Sequence, residues 1–138
     1  RLDPASRIRM TRTLRRSRNA VLDGAEKSLK SVVKKIMAES RALVPVKTGL
    51  LKSSLFGKVK RSTWEVEAQV GYNLDKGPKH RHLNIYGVLQ HENLVWAHKS
   101  GKSAKFLAIP FLKYEDRIMQ ITAKAVRKRL RFLARAGV

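Results

Sequence analysis

Four histidines, His80, His82, His91 and His98, are the residues whose type most readily suggests chemistry. His80 and His82 form a His-x-His pair, which on a strand puts both rings on one face, where they can chelate. A closed metal site needs a full set of His, Cys or carboxylate ligands, and the sequence supplies none at suitable spacing. His91-Glu92 opens the helical zinc-protease pattern, but the second histidine should stand at position 95, which is Val95. Gly101-Lys102-Ser103 has the ending of a phosphate-binding loop, yet the glycine required five residues earlier is Trp96. Glu115 and Asp116 are adjacent, so on a helix their carboxylates diverge and cannot act as a facing acid–base pair. No Gly-x-Ser-x-Gly nucleophile elbow occurs. The expectation is a protein that is not an enzyme, with no cofactor and no metal.

Charge says more. Thirty-one Lys and Arg face ten Asp and Glu, a net of +21. Solubility of a small domain asks for a net charge of only about 2–8. A surplus of this size repels itself unless counter-charge is near, and so implies a polyanionic partner. The cations concentrate at the two ends of the chain. Arg7, Arg9, Arg12, Arg15, Arg16 and Arg18 crowd the first, where Asp3 is the single acid. Lys124, Arg127, Lys128, Arg131 and Arg135 crowd the second, where no acid intervenes. Contact with phosphates needs many cations on one surface and no particular spacing, because counterion release drives it. These eleven residues are therefore the candidate contacts to a polyanion, nucleic acid first. A uniform Lys/Arg face carries charge rather than a base-reading code. Aromatic residues make up 7% of the chain, too few to suggest a stacking sheet for RNA. No membrane partner is expected, since no run of about 18 apolar residues occurs. Cysteine is absent, which removes disulfides and thiolate metal sites.

A chain of 138 residues, 43% of them hydrophobic, has material for one core. Residues 1–18 read as a basic arm, extended or disordered on its own because its apolar residues are sparse. Residues 19–138 read as a single domain ending in a basic helix. From Val21 to Leu43 the apolar residues Leu22, Ala25, Leu29, Val32, Ile36 and Leu43 recur at helical spacing, widened by Val33 and Met37. Asp23 and Glu26 resemble a capping pair near its start. Pro45 stops the helix, because a residue before proline resists helical geometry. Thr48 and Gly49 suit the turn that follows, Gly49 by permitting a positive φ. A first strand is predicted over Leu55–Lys60, a turn at Arg61-Ser62-Thr63, then a strand on which Trp64, Val66, Ala68 and Val70 alternate with Glu65, Glu67 and Gln69. Residues 73–82 and 96–105 read as loops, and 83–94 as either a short helix or a strand. Phe106–Ile109 reads as a last strand, after which Pro110 opens a long helix whose stripe is Leu112, Met119, Ala123, Val126, Leu130 and Leu133. The fold expected is α+β: a long N-terminal helix, a small mostly antiparallel β-sheet, and a long C-terminal helix packed on one face.

Three blocks carry a resemblance. Ala42-Leu43-Val44-Pro45-Val46-Lys47-Thr48-Gly49-Leu50-Leu51-Lys52-Ser53-Ser54-Leu55 resembles a signature of the tail-completion, or neck, proteins of long-tailed bacteriophages, also called head–tail joining or minor capsid proteins. There a helix ends in Pro-Val-Asp-Thr-Gly, followed after one residue by Leu, a basic residue and Ser. Lys47 stands where the family usually carries Asp, which removes a carboxylate able to cap the turn. Tyr86-Gly87-Val88-Leu89-Gln90-His91-Glu92-Asn93 is similar to the family's Tyr-Ala-x-x-Gln-His-Glu block. Ala104-Lys105-Phe106-Leu107 and Pro110-Phe111-Leu112 are similar to its closing blocks. The resemblance spans about residues 25–129 and leaves the arginine arm outside.

On this resemblance Pro45, Thr48, Gly49, Leu51, Ser54, Tyr86, Gln90, His91, Glu92 and Pro110 have structural roles rather than catalytic ones. The resemblance implies a subunit of a ring in the virion, between capsid portal and tail, with copies of itself, head-completion or connector proteins and tail proteins as partners. The arm and the C-terminal helix would then face DNA in the channel, and loops 73–82 and 96–105 would touch neighbouring rings. The alternative, a cellular non-specific nucleic-acid-binding module of ribosomal or nucleoid type, has the same composition. The two differ in oligomeric state.

Overall fold

The computed structural model describes residues 3–45, 49–73, 92 and 104–136. Its first element begins well before the apolar pattern does. Asp3 has an extended backbone, and its carboxylate accepts hydrogen bonds from the Ser6 amide at 2.8 Å and the Ser6 hydroxyl at 2.7 Å. Pro4 takes the first helical position, where its missing N–H costs nothing. Helix α1 then runs Pro4–Leu43, 40 residues or ~60 Å. The segment expected as an extended arm is therefore the first four turns of α1. Sparse apolar residues there reflect solvent exposure, while Arg, Leu, Ala and Met are all good helix formers. Asp23 and Glu26 lie mid-helix and cap nothing; both bind Arg61 of the hairpin instead.

From Ala20 onward α1 buries Ala20, Leu22, Val32, Val33 and Ile36. Its end is where Pro45 puts it. Val44 leaves the helix with φ −61° and ψ 130°, its amide still donating to Ser40 O at 2.9 Å. Gly49, at φ 78°, occupies the left-handed region and starts a single turn, α2 (Leu50–Ser53). Strands β1 (Leu55–Arg61) and β2 (Val66–Tyr72) form an antiparallel hairpin in register from Leu55 opposite Tyr72 to Arg61 opposite Val66. Val66, Ala68 and Val70 are half-buried, and Glu65, Glu67 and Gln69 are exposed, as the alternation requires. Trp64 departs from the expectation: it lies in the turn, 78% exposed, because Ser62 closes the chain there. The Ser62 amide donates to Glu65 O at 2.9 Å and its hydroxyl accepts from the Glu65 amide at 3.3 Å.

Helix α3 is Ala108–Arg135. The expected strand at 106–109 is absent. Residues 104–107 form a turn, with Lys105 at φ 55°, and the Ile109 amide already donates to Lys105 O at 2.9 Å. Pro110 is buried in the first turn of α3, where helix N–H groups have no partner to lose.

Helices α1 and α3 pack antiparallel. Gly24 meets α3 so closely that a Cβ there would stand 2.8 Å from Val126 Cα and 2.9 Å from Val126 N. Further along, the Ser28 and Thr122 hydroxyls are 3.0 Å apart, and Glu39 accepts from Lys113 at 2.8 Å and from Tyr114 OH at 2.6 Å. That approach selects which side of α3 faces inward. Ile118, Ile121, Thr122, Ala125, Val126 and Leu133 are half-buried, whereas Leu112, Ala123 and Leu130 are exposed and Met119 is 77% exposed. Of the six residues expected on the buried stripe, only Val126 and Leu133 are on it. The helix carries two apolar stripes, and the one with small residues at its centre fits against a glycine. The arrangement is the expected α+β fold, with the hairpin against α1 and the two long helices side by side.

Gly24→Ala tests the approach. An alanine in an exposed helix interior is normally better than glycine by about 1 kcal/mol. Here the methyl meets backbone, which cannot swing aside, and overpacking costs about 1–3 kcal/mol. Thermal unfolding should show a lowered Tm; a raised Tm would mean that the helices stand further apart.

Candidate polyanion interface

Antiparallel packing settles where the two basic segments lie. Gly24 opposes Val126 and Ser28 opposes Thr122, so continuing toward the start of α1 runs toward the end of α3. The arginines of the first helix and the cations of the last therefore belong to one end of the molecule. Arg7, Arg9, Arg12, Arg15 and Arg16 are exposed and Arg18 is half-buried. Lys124, Arg127, Lys128, Arg131 and Arg135 are all exposed. No carboxylate stands between Arg7 and Arg18 or between Arg117 and Arg135.

Carboxylates are paired elsewhere. Glu26 binds Lys30 at 2.5 Å and Arg61 at 3.2 Å, and Asp23 also takes Arg61. Glu39 holds Lys113, and Glu92 holds Lys105. Hydrogen bonds from Lys30 first and Arg61 second keep Glu26 below the ordinary carboxylate range; Lys113 first and Tyr114 second do the same for Glu39. These pairs are largely solvent-exposed and add little stability, but they neutralise cations of the middle and opposite end. At the basic end the one carboxylate ahead of the arginines is Asp3, and it is taken up by Ser6 at the helix start. Within α1, Arg9, Arg12, Arg15 and Arg18 follow at three-residue steps and Arg12 and Arg16 at four, so like charges stack along the helix.

One feature of this end was misplaced by the sequence reading. The Arg18 guanidinium lies over the exposed Trp64 ring, 4.6 Å from its centroid, and its Nε is buried without a hydrogen-bond partner. A cleft of about 480 Å³ beside it is lined by Arg18, Asn19, Leu22, Arg61, Ser62 and Thr63. The alternating pattern had put Trp64 on a strand. The available signal was its position directly after Arg61-Ser62-Thr63, a turn already recognised.

The motif residues fall elsewhere. Val44, Leu51 and Phe106 form a buried cluster with Leu43, Leu50, Tyr72 and Leu107 around it. Tyr72 and Phe106 meet edge to face at 5.2 Å, and Tyr72 OH hydrogen-bonds Ser40 Oγ at 2.7 Å. Burial pushes the Tyr72 phenol up. The buried Ser54 hydroxyl donates to Leu51 O at 2.8 Å, and Ser54 O accepts from the Asn73 amide at 2.8 Å. Pro45 lies just after α1 and Gly49 just before α2, and Pro110 lies in the first turn of α3. The first and last motif blocks thus meet in one apolar corner, away from the basic end. Glu92 is exposed. Thr48, Tyr86, Gln90 and His91 lie outside the described residues, as do His80, His82, His98 and Gly101-Lys102-Ser103, and most of the loops at 73–82 and 96–105 and of the segment 83–94. Glu115 and Asp116 are exposed on α3.

Among the described residues no three His, Asp or Glu side chains gather closely enough to hold a metal ion, and no helix is long and apolar enough to cross a membrane.

Repulsion among the stacked arginines opposes helix in the first turns of α1, and counter-charge should relieve it. Circular dichroism at low salt should show helicity rising when short duplex DNA is added, and rising less when Arg9, Arg12 and Arg15 are all replaced by Gln. Helicity that ignores both salt and DNA would contradict the repulsion argument. Compared with protein-family models, with curated proteins and with solved structures, the chain matches none of them.

Proposed function

We propose that this protein is a structural, non-enzymatic subunit of the phage head–tail junction, a neck or tail-completion protein that forms or joins a ring around the DNA channel. The observation that carries the reading is the basic end: cations of α1 and α3 gathered together and exposed, while Asp23, Glu26 and Glu39 are engaged by Arg61, Lys30 and Lys113. A channel wall that holds DNA needs attraction to phosphates that ignores sequence, and it needs no reaction. Closing such subunits into a ring repeats the cationic surface around the lumen and raises the local potential without new chemistry. The three motif blocks, in the family's order, supply the rest of the case. Copies of itself, adjacent connector and tail proteins, and double-stranded DNA are the partners this role requires, in the virion and in host cytoplasm during assembly.

A cellular non-specific nucleic-acid-binding module would use the same basic end, and oligomeric state separates the two. The mass of nuclease-treated protein, by light scattering at high and low salt with negative-stain imaging of the same sample, should reveal rings or discrete oligomers. A monomer at every salt concentration would contradict self-assembly and favour the nucleic-acid-binding module.

A further inference from the structure

The basic end is not uniformly polar. Met10, Leu14, Val21, Gly24 and Ser28 lie along α1 at steps of four, seven, three and four, so the stripe that faces α3 at Gly24 and Ser28 continues toward the N-terminus. Among the described residues nothing covers that continuation: Leu14 is 62% exposed, and Met10 and Val21 are exposed as well. On the opposing helix Phe132 is 70% exposed. Next along the two helices, between α1 at residues 24–31 and α3 at residues 121–132, lies an open groove of about 370 Å³, floored by Gly24, Ser28, Ile121 and Ala125 and edged by Phe132. Its rim is cationic, from Lys27, Lys128 and Arg129, and a neighbouring cleft adds Lys34. The acids of that cleft, Asp23 and Glu26, are held by Arg61 and Lys30.

An apolar floor inside a cationic rim asks for an occupant of matching pattern. Duplex DNA satisfies the rim but presents a charged backbone, so it has nothing to bury against Phe132. A second copy of this chain would bring its own +21 charge against the same cations. A helix with apolar side chains on one face and carboxylates beside them satisfies both at once. We propose that the groove between α1 and α3 docks an acidic amphipathic helix of a partner protein, its apolar side chains against Phe132 and its carboxylates against Lys27, Lys128 and Arg129. This surface shares Lys128 with the candidate phosphate contacts and adds Phe132, and it stands whether or not the protein belongs to a phage neck.

The test uses the nuclease-treated full chain and a fluorescent synthetic helix of about 20 residues, with Leu on one face and Glu elsewhere. A scrambled peptide of the same composition, polyglutamate of the same charge and short duplex DNA serve as comparisons. Binding to the amphipathic peptide should be roughly tenfold tighter than to the scrambled one, about 1.4 kcal/mol. Phe132→Ser should remove that difference while leaving duplex affinity unchanged, and Lys128→Gln with Arg129→Gln should weaken both peptides and flatten their salt dependence. Equal binding of all acidic peptides, unaffected by Phe132→Ser, would overturn the proposal in favour of charge alone. Loss of duplex affinity in Phe132→Ser would overturn it by making the groove part of the DNA surface. A lowered Tm in Phe132→Ser with no peptide binding would overturn it by showing that the chain covers its own groove.

Discussion

The absent side chain at Gly24 is the constraint on which the rest depends. It lets the backbone of α3 come against α1 at Val126, a distance no other residue allows. Once that contact is made, the rotation of α3 is settled, with Ala125, Thr122 and Ile121 inward and Met119 and Leu112 outward. Its direction is settled too, since Glu39 at the far end of α1 accepts from Lys113 and Tyr114 at the start of α3. Antiparallel direction then brings the arginine-rich beginning of one helix toward the lysine- and arginine-rich end of the other. A steric fact about one residue thus becomes an electrostatic fact about the whole molecule.

Charge is distributed in line with that geometry. Asp23, Glu26 and Glu39 spend themselves on Arg61, Lys30 and Lys113, which tie the hairpin and α3 to the middle and far end of α1. Glu65 and Glu67 stand on the exposed face of β2. The basic end keeps its repulsion and with it an appetite for counter-charge, while the apolar corner of Val44, Leu51 and Phe106 holds the opposite end of α1. The molecule is therefore divided between an end whose charges are paired and an end whose cations stand exposed to solvent.

Much of this was legible in the residues. The helix ending at Pro45, the positive φ of Gly49, the hairpin and the final helix all follow from local chemistry, and local chemistry is what a sequence displays. The basic character of both ends is plain along the chain, but their convergence is not, because nothing along the chain states that two helices run antiparallel. The arm was misjudged because low apolar content was taken for absence of structure, while Asp3 and Pro4 were signalling a helix start. The stripe of α3 was misjudged because its larger residues, Leu112 and Met119, outweigh Ala125 and Thr122 in a hydrophobic count. Tertiary fit against a glycine reverses that order. Trp64 was assigned by alternation to a strand that Ser62 had already closed.

The measurement that bears most directly on the central claim is the salt dependence of duplex DNA binding by the full chain. Each neutralised phosphate contributes about 0.9 to the slope of log affinity against log salt. If the two segments form one surface, replacing Arg9, Arg12 and Arg15 by Gln should lower the slope, replacing Lys124, Arg127 and Arg131 by Gln should lower it comparably, and the combined variant should lose both shares. A slope that responds to one set and ignores the other would contradict a shared basic end.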